Sequence, residues 1–211
     1  MGHAILLGDS IFDNAAYVAA GDPDVVRQLR EQLPDGWQAT LLAIDGSVIS
    51  GVRAQAGRLP ADSSHLVLSV GGNDALGHAR LLEDPATSMA EALNMLARAA
   101  DGFEREYQLM LDALLDRRLP VAVCTIYNPR FPDARMQKLA VTALCVFNDA
   151  IIRDAFARGL PLIDLRLVCN DDRDYANPIE PSARGGAKIA AAIKSVVTEH
   201  DFSRGRTEAF V

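Results

Sequence analysis

Residues 5–14 read Ile-Leu-Leu-Gly-Asp-Ser-Ile-Phe-Asp-Asn, and the interpretation of the whole chain starts from them. A short apolar run ends there in Gly-Asp-Ser and turns polar, which is typical of a buried strand that leaves the core at a tight turn. In open α/β sheets, ligands bind at the carboxyl ends of the strands. Ser10 is therefore a candidate nucleophile, and the alternative is that Asp9 and Ser10 only cap the segment that follows.

The composition is that of one globular domain. The chain has 211 residues, of which 49% are hydrophobic and 23% are charged, and its formal net charge is −7. This acidic balance argues against nucleic acid or an anionic membrane as a partner. No run approaches the roughly 20 apolar residues of a membrane span, and no signal-peptide pattern opens the chain. Because the three cysteines include no Cys-x-x-Cys pair, we expect buried free thiols and a cytoplasmic protein.

Apolar, strand-like runs alternate with segments of helical spacing along the chain. The five runs cover residues 4–7, 39–44, 66–70, 121–126 and 160–165. The longest helical patterns cover residues 88–118, 134–158 and 184–199. This alternation predicts a three-layer α/β/α domain with a five-stranded parallel sheet. We expect residues 1–200 to form that domain and residues 201–211 to be a polar tail, ordered only by a partner.

In a parallel sheet the loops after the strands gather at one edge, so polar residues in them are candidates for chemistry. Gly46 follows the second run, where it can present its N–H to a cleft or serve as a plain turn glycine. The third run leads into Gly-Gly-Asn-Asp at 71–74. There Asn73 can donate a hydrogen bond from its side-chain amide or act only as a turn residue, and Asp74 follows it.

These three segments resemble three of the four sequence blocks of the SGNH/GDSL hydrolases, in the same order and at similar spacing. The resemblance extends over residues 5–192. It implies a flavodoxin-like SGNH-hydrolase fold, an esterase or lipase activity on a small-molecule ester, and no cofactor. By position it also implies Ser10 as the nucleophile. The oxyanion would be held by the N–H groups of Ser10 and Gly46 and by the Asn73 amide.

The fourth block departs from the family pattern. Its Asp-x-x-His is replaced by Asn177-Pro-Ile-Glu180, although the Pro181-Ser182 pair that follows fixes the register. Glu180 is the candidate replacement for the missing histidine base, because burial in an apolar cleft can raise the pKa of a carboxylate toward the useful range. Asn177 would then hold Glu180 by a hydrogen bond. The pair keeps the single negative charge of an aspartate with a neutral histidine.

The remaining candidates surround the expected site. Of the four histidines, only His78 follows a strand on the site edge, so it is the alternative base, although a substrate-lining or surface position is commoner. Tyr127, Pro129, Arg130 and Phe131 are expected to line the cleft with mixed aromatic and cationic character. The acidic loop at 171–174 suggests a metal site, but neighbouring loop carboxylates are more often solvated. Residues expected near the substrate without a chemical role are Asp9, Asp74, His78, Asn177 and Tyr127.

The sequence therefore predicts a serine hydrolase that cleaves an ester through an acyl-enzyme on Ser10. An acyltransferase would use the same step, because the sequence does not tell which hydroxyl accepts the acyl group. The missing histidine also suits a binding protein that kept the fold without efficient catalysis. A flavodoxin-like nucleotide binder is weaker, since no glycine-rich phosphate motif follows any strand. Lipid, short acyl and sugar esters all stay open as substrates, and the Ala-rich helices and the tail are compatible with a homodimer.

Overall fold

The computed structural model describes residues 2–211, and a six-stranded parallel sheet lies at its centre. The strands are β1 (His3–Gly8), β2 (Gln38–Leu41), β3 (His65–Ser69), β4 (Val121–Cys124), β5 (Leu162–Ile163) and β8 (Ala209–Phe210). Their spatial order is β2-β1-β3-β4-β5-β8. A separate antiparallel pair, β6 (Tyr175–Asn177) and β7 (Glu180–Pro181), lies between β5 and β8 in the chain.

Seven helices connect the strands. They are α1 (Val25–Gln32), α2 (Val52–Ala56), α3 (Gly72–Gly77), α4 (Met89–Leu115), α5 (Ala134–Arg158), α6 (Leu165–Val168) and α7 (Ala183–Glu199). The three long helical patterns of the sequence correspond to α4, α5 and α7. Their ends follow ordinary capping rules: Asp133 caps the start of α5 from its side chain, and Gly159 closes the helix in a left-handed conformation.

The two faces of the sheet are covered by different helices. Ala4 and Leu6 of β1 pack into the apolar cluster that α1 and α7 supply. The alternate residues Ile5 and Leu7 point the other way, into the cluster supplied by α2, α4 and α5. The predicted three-layer α/β/α architecture is therefore confirmed.

The number of strands differs from the prediction, because part of the presumed tail is a strand. Ala209 and Phe210 of β8 pair in parallel with Leu162 and Ile163 of β5. The Asp164 N–H donates to the Phe210 carbonyl at 2.9 Å. Residues 201–211 are thus ordered by the chain's own sheet and need no partner for it. A two-residue strand is too short to carry a periodic pattern, and its pairing is distant in sequence.

The cysteines also differ in part from the expectation. Cys124 and Cys169 are buried free thiols, as expected. Cys145 is exposed, because it lies on the outward side of α5, where its thiol donates to the Val141 carbonyl at 3.4 Å. No helix in residues 2–211 has the length and apolar character needed to cross a membrane.

Candidate active site

The candidate nucleophile follows a strand end that requires glycine. Gly8, the last residue of β1, has a φ of +127°, and a Cβ at this position would overlap the carbonyl oxygen of Ser69 in β3. The chain turns immediately afterwards: the Asp9 N–H donates to that same carbonyl at 3.1 Å, and Asp9 Oδ1 accepts from the Ile11 N–H at 3.2 Å. This turn leaves Ser10 at the carboxyl edge of the sheet with only 6% of its surface exposed.

Ser10 is hydrogen-bonded to a carboxylate. Its Oγ donates to Glu180 Oε1 at 3.0 Å, across 170 positions of sequence. Glu180 lies in β7 and is 6% exposed, and its second oxygen, Oε2, has no hydrogen-bond partner in the described residues. The structure therefore brings together the serine and the residue that stands in the histidine position of the sequence pattern.

The segment around Glu180 is fixed by hydrogen bonds to its backbone on both sides. The Tyr127 hydroxyl donates to the Ile179 carbonyl, and Asn14 Nδ2 donates to the Pro181 carbonyl at 3.2 Å. Asn14 and Tyr127 follow β1 and β4 respectively, so both anchors come from the site edge of the sheet. Glu180 is thus held against Ser10 by its neighbours in the chain.

Asn177 does not hold Glu180 in the way that the sequence suggested. Its Oδ1 accepts a hydrogen bond from the Ile179 N–H at 2.9 Å, and no side-chain bond joins it to Glu180 in the described residues. Asn-Pro is a strong turn former, because the Asn side chain bonds the backbone two residues on. Asn177 therefore shapes the turn between β6 and β7.

Two backbone N–H groups and one amide are available near Ser10. The N–H groups of Ser10 and Gly46 have no partner within residues 2–211. The side-chain amide of Asn73, in the first turn of α3, faces the cleft and donates to the Ser47 carbonyl at 2.9 Å. An amide nitrogen carries two hydrogens, so one remains for another acceptor. Gly46, with a φ of +73°, lies on an exposed loop beside the cleft and outside its lining.

The Gly46 loop is held by side chains from two helices. Asp74 of α3 accepts from the Ile49 N–H at 3.2 Å. Gln55 of α2 donates to Ser47 Oγ at 3.1 Å and also reaches the backbone of β1. Gln55 was not among the residues that the sequence predicted for the site. The sequence does contain a sign of its role. Gln55 lies one turn after Val52 on the apolar side of a short helix, and a polar side chain that is buried there needs hydrogen-bond partners.

His78 lies in the cleft but away from the serine–carboxylate pair. It follows the end of α3, and its ring stacks on Phe147 of α5 with centroids 6.0 Å apart. No hydrogen bond joins it to Ser10 in the described part of the chain. Of the two candidate bases, the structure places Glu180 against Ser10 and His78 in the cleft lining.

Burial raises the pKa of both carboxyl groups beside the serine. Desolvation raises the pKa of Glu180 to about 7, with the hydrogen bond from Ser10 opposing and the negative charge of Asp45 adding to the shift. Desolvation raises the pKa of Asp9 to about 8, with the Ile11 N–H opposing it and Glu180 and Asp74 adding to it. Glu180 is therefore a stronger base than an ordinary carboxylate.

The cleft that contains Ser10 is walled by apolar side chains. Its walls come from α3 and the segment after it, from α4, from α5 and from the ends of β3 and β4. Tyr127, Pro129 and Phe131 line it, as the sequence suggested, but Arg130 does not. The Arg130 guanidinium lies 4.9 Å from the centre of the Tyr175 ring and forms an ion pair with Asp172, with Nε 2.9 Å from Oδ1. The expected cationic character of the cleft is thus wrong, because a carboxylate and an aromatic ring hold the arginine elsewhere.

The acidic loop at 171–174 is neutralised by cations. Asp171, Asp172 and Asp174 pair with Arg173, Arg130 and Lys188, at 2.8, 2.9 and 2.7 Å respectively. Asp171 and Asp174 also form a capping box on the short helical turn Asp172–Asp174. The three carboxylates therefore have structural partners, and the Asp174–Lys188 pair joins the loop to α7.

The fold and the site together define an α/β/α protein with a serine–carboxylate pair at the carboxyl edge of a parallel sheet. The chain belongs to the GDSL-like lipase/acylhydrolase family, whose model matches residues 6–188. No match is found among curated proteins.

Several solved structures share the fold. The lipase Lip_vut3 from a goat rumen metagenome is 20% identical, with a TM-score of 0.71 over 92% of this chain and 97% of that chain. The phospholipase A1 of Streptomyces albidoflavus NA297 is 17% identical, with a TM-score of 0.64; the match covers 92% of this chain and 99% of that chain. The acetyl xylan esterase AlAXEase is 22% identical, with a TM-score of 0.62; the match covers 92% of this chain and 99% of that chain. At these identities the likeness concerns the fold.

Proposed function

We propose that this protein hydrolyses an ester, with Ser10 as the nucleophile and Glu180 as the general base. The observation that carries the proposal is the hydrogen bond from Ser10 Oγ to Glu180 Oε1 at 3.0 Å, between two buried side chains. A serine hydroxyl becomes an effective nucleophile when an adjacent base accepts its proton. The chain belongs to the GDSL-like lipase/acylhydrolase family, and this membership supports an ester as the substrate.

In the acylation step, Glu180 takes the Ser10 proton while Oγ attacks the acyl carbonyl carbon. The carbonyl oxygen becomes an oxyanion, which the free N–H groups of Ser10 and Gly46 and the second amide hydrogen of Asn73 would stabilise. When the tetrahedral intermediate collapses, the bond to the alcohol breaks, and the protonated Glu180 gives its proton to the departing oxygen. The acyl group remains on Ser10 as an ester.

In the deacylation step, water replaces the alcohol. Glu180, again ionised, accepts a proton from the water as it attacks the acyl-enzyme, and returns that proton to Ser10 Oγ as the acid leaves. General base catalysis is most effective when the pKa lies near the working pH. The pKa of Glu180, raised to about 7, meets this requirement.

The test is hydrolysis of p-nitrophenyl butyrate by the wild type, Ser10→Ala and Glu180→Gln. We expect both variants to lose at least about a thousandfold in kcat/KM, because each removes one half of the proton-transfer pair. Burst kinetics at high enzyme concentration would detect the acyl-enzyme in the wild type and its absence in Ser10→Ala.

The matched control is Glu199→Gln, which changes an exposed glutamate at the end of α7 and should leave the rate unchanged. If Glu180→Gln retains the wild-type rate while His78→Ala is inactive, the base is His78 and the proposal is wrong. If the wild type and Ser10→Ala are equally inert on this ester, the result contradicts the proposal for this substrate and favours the binding-protein alternative.

A further inference from the structure

The first half of α5 presents an apolar strip to the cleft. Five side chains at helical spacing, each three or four residues from another member, lie on one face of the helix and all line the cleft: Met136, Ala140, Ala143, Leu144 and Phe147. At 1.5 Å per residue the strip is about 16 Å long. Its first four members are only partly buried, so no other part of the protein covers this face fully.

The opposite wall is apolar as well. It is formed by α3, by the short helical segment Ala79–Leu82 and by α4, and its side chains are Leu76, Ala79, Leu81, Leu82 and Leu96. Leu76 is 41% exposed although it faces the same cleft as Ser10. We call the space between this wall and the α5 strip the acyl groove. Apolar surface left open to water is unfavourable by about 25 cal/mol per Å², so an apolar ligand would be stabilised there.

Two of the side chains that line the cleft are acidic. They are the carboxyl groups of Asp9 and Glu180; the imidazole of His78 also lines the cleft, and no lysine or arginine contributes to the lining of the described cleft. Arg130, the nearest candidate in sequence, is already bonded to Asp172. An anionic group entering the acyl groove would lose its water and find carboxyl groups and hydrocarbon instead of a partner.

We propose that the acyl group of the substrate is an uncharged, unbranched hydrocarbon chain of medium length, which lies in the acyl groove when its carbonyl is at Ser10. The proposal rests on the hydrolase function proposed above and selects one of the substrate classes that the sequence left open. The length of the strip accommodates an extended octanoyl or decanoyl chain. Acetyl groups would leave the groove empty, and acids with a second carboxylate are excluded by charge.

The first experiment compares kcat/KM for the p-nitrophenyl esters of acetate, butyrate and octanoate. Burying each methylene is worth about 0.8 kcal/mol, so we expect octanoate to exceed acetate by at least about a hundredfold. The p-nitrophenyl monoester of octanedioic acid has the same chain length but ends in a carboxylate. Because no lysine or arginine lines the described cleft, we expect it to fall at least about a hundredfold below octanoate.

A pair of neighbouring substitutions assigns the effect to the groove. Ala143→Trp fills the groove from α5, whereas Thr142→Trp adds the same side chain at an exposed position of that helix. We expect Ala143→Trp to lower the ratio of octanoate to acetate hydrolysis by at least about tenfold relative to the wild type. Thr142→Trp should preserve the full chain-length preference. Circular dichroism would verify that both variants are folded.

The inference and the proposed function fail in different ways. If Ser10→Ala is inactive but acetate, octanoate and the octanedioic monoester react equally well, the acyl groove is refuted and the hydrolase function stands. If no ester is hydrolysed, calorimetric titration with 1-octanol and with octanoate decides. Binding of the alcohol but not of the anion, abolished by Ala143→Trp, supports the groove, and any other pattern overturns it.

Discussion

The side-chain amide of Gln55 makes two hydrogen bonds to the backbone of Gly8. Its Nε2 donates to the Gly8 carbonyl, and its Oε1 accepts from the Gly8 N–H, both at 2.8 Å. A side chain from α2 thus satisfies the last residue of β1 in the way that a neighbouring strand would. Because the same amide also contacts Ser47 Oγ, it connects the end of β1 to the Gly46 loop.

Replacing Gln55 by leucine should therefore lower both stability and activity. The change leaves a buried donor and a buried acceptor on Gly8 without partners, at a cost of about 1–3 kcal/mol each. Urea unfolding measures the loss of stability, and kcat measures the displacement of the loop. Gln38→Leu is the control, since Gln38 is exposed on β2 and should tolerate the change. Equal unfolding midpoints for the two variants would contradict the bridging role of Gln55.

Gly8→Ala should prevent stable folding. The φ of +127° disfavours any side chain, and the new methyl group would overlap the Ser69 carbonyl oxygen of the adjacent strand. We expect a loss of more than about 3 kcal/mol in the free energy of unfolding, or an insoluble product. Gly102→Ala serves as the control. It lies within α4 with open space around the added methyl group, and should stabilise the protein by up to about 1 kcal/mol.

Asn73→Ala should lower kcat with little change in KM. The amide hydrogen that it removes is the one proposed to meet the oxyanion, and loss of one such donor costs about 10²–10³ in rate. Steady-state kinetics with the preferred ester measure the effect. Asn94→Ala, at an exposed position of α4, is the matched control. A rise in KM of that size with unchanged kcat would show that Asn73 instead binds the substrate in its ground state.

The rate should rise with pH through an inflection near 7. In the proposed mechanism only the ionised form of Glu180 accepts the serine proton, and burial raises the pKa of this group to about 7. The kcat/KM profile from pH 5 to pH 9 measures this inflection. Carboxyl groups ionise with almost no enthalpy change, unlike imidazole, so its position should stay constant with temperature. His78→Ala should leave the inflection in place, and a strong temperature dependence would exclude Glu180.

Asp9→Asn should stabilise the protein at alkaline pH. The pKa of Asp9 is raised from 3.8 to about 8 in the folded state, so between these values the folded state binds more protons than the unfolded state. Stability contributed by this group is therefore lost as the pH rises from about 4 to about 8. Asparagine keeps the acceptor for the Ile11 N–H without ionising. Thermal unfolding should show a gain for Asp9→Asn that is larger at pH 8 than at pH 5, and none for the exposed control Asp35→Asn.

The sequence predicted the parts of this protein that depend on local pattern. The alternation of apolar runs and helical spacings was enough to predict the layered architecture and both ends of α5. Strand β8 was not predicted, because two residues are too few to form a periodic pattern. Ser10, Asn73 and Glu180 could be assigned to one cleft because each lies near a strand end or in a block of fixed register.

What the sequence could not supply are relationships that depend on side-chain direction. The strip on α5 has the same spacing as a core-facing helix, so only the structure separates the groove side chains from the core. Arg130 was expected in the cleft from its position after β4, but its long side chain reaches Asp172 instead. Asn177 was expected to bond Glu180 by analogy with the Asp and His of the family pattern. Its side chain instead accepts a hydrogen bond from the Ile179 N–H within its own turn.

A carboxylate opposite Ser10 also changes how charge moves during the reaction. With a neutral imidazole, proton transfer creates a cation beside the new oxyanion. With Glu180, the same transfer moves an existing negative charge from the carboxylate to the substrate oxygen, so the net charge of the site is constant throughout. A stable anionic mimic of the tetrahedral intermediate must therefore bind together with one extra proton. If the proposed mechanism holds, the affinity of such a mimic should weaken tenfold for each unit of pH above the inflection of Glu180, so inhibition would depend on pH.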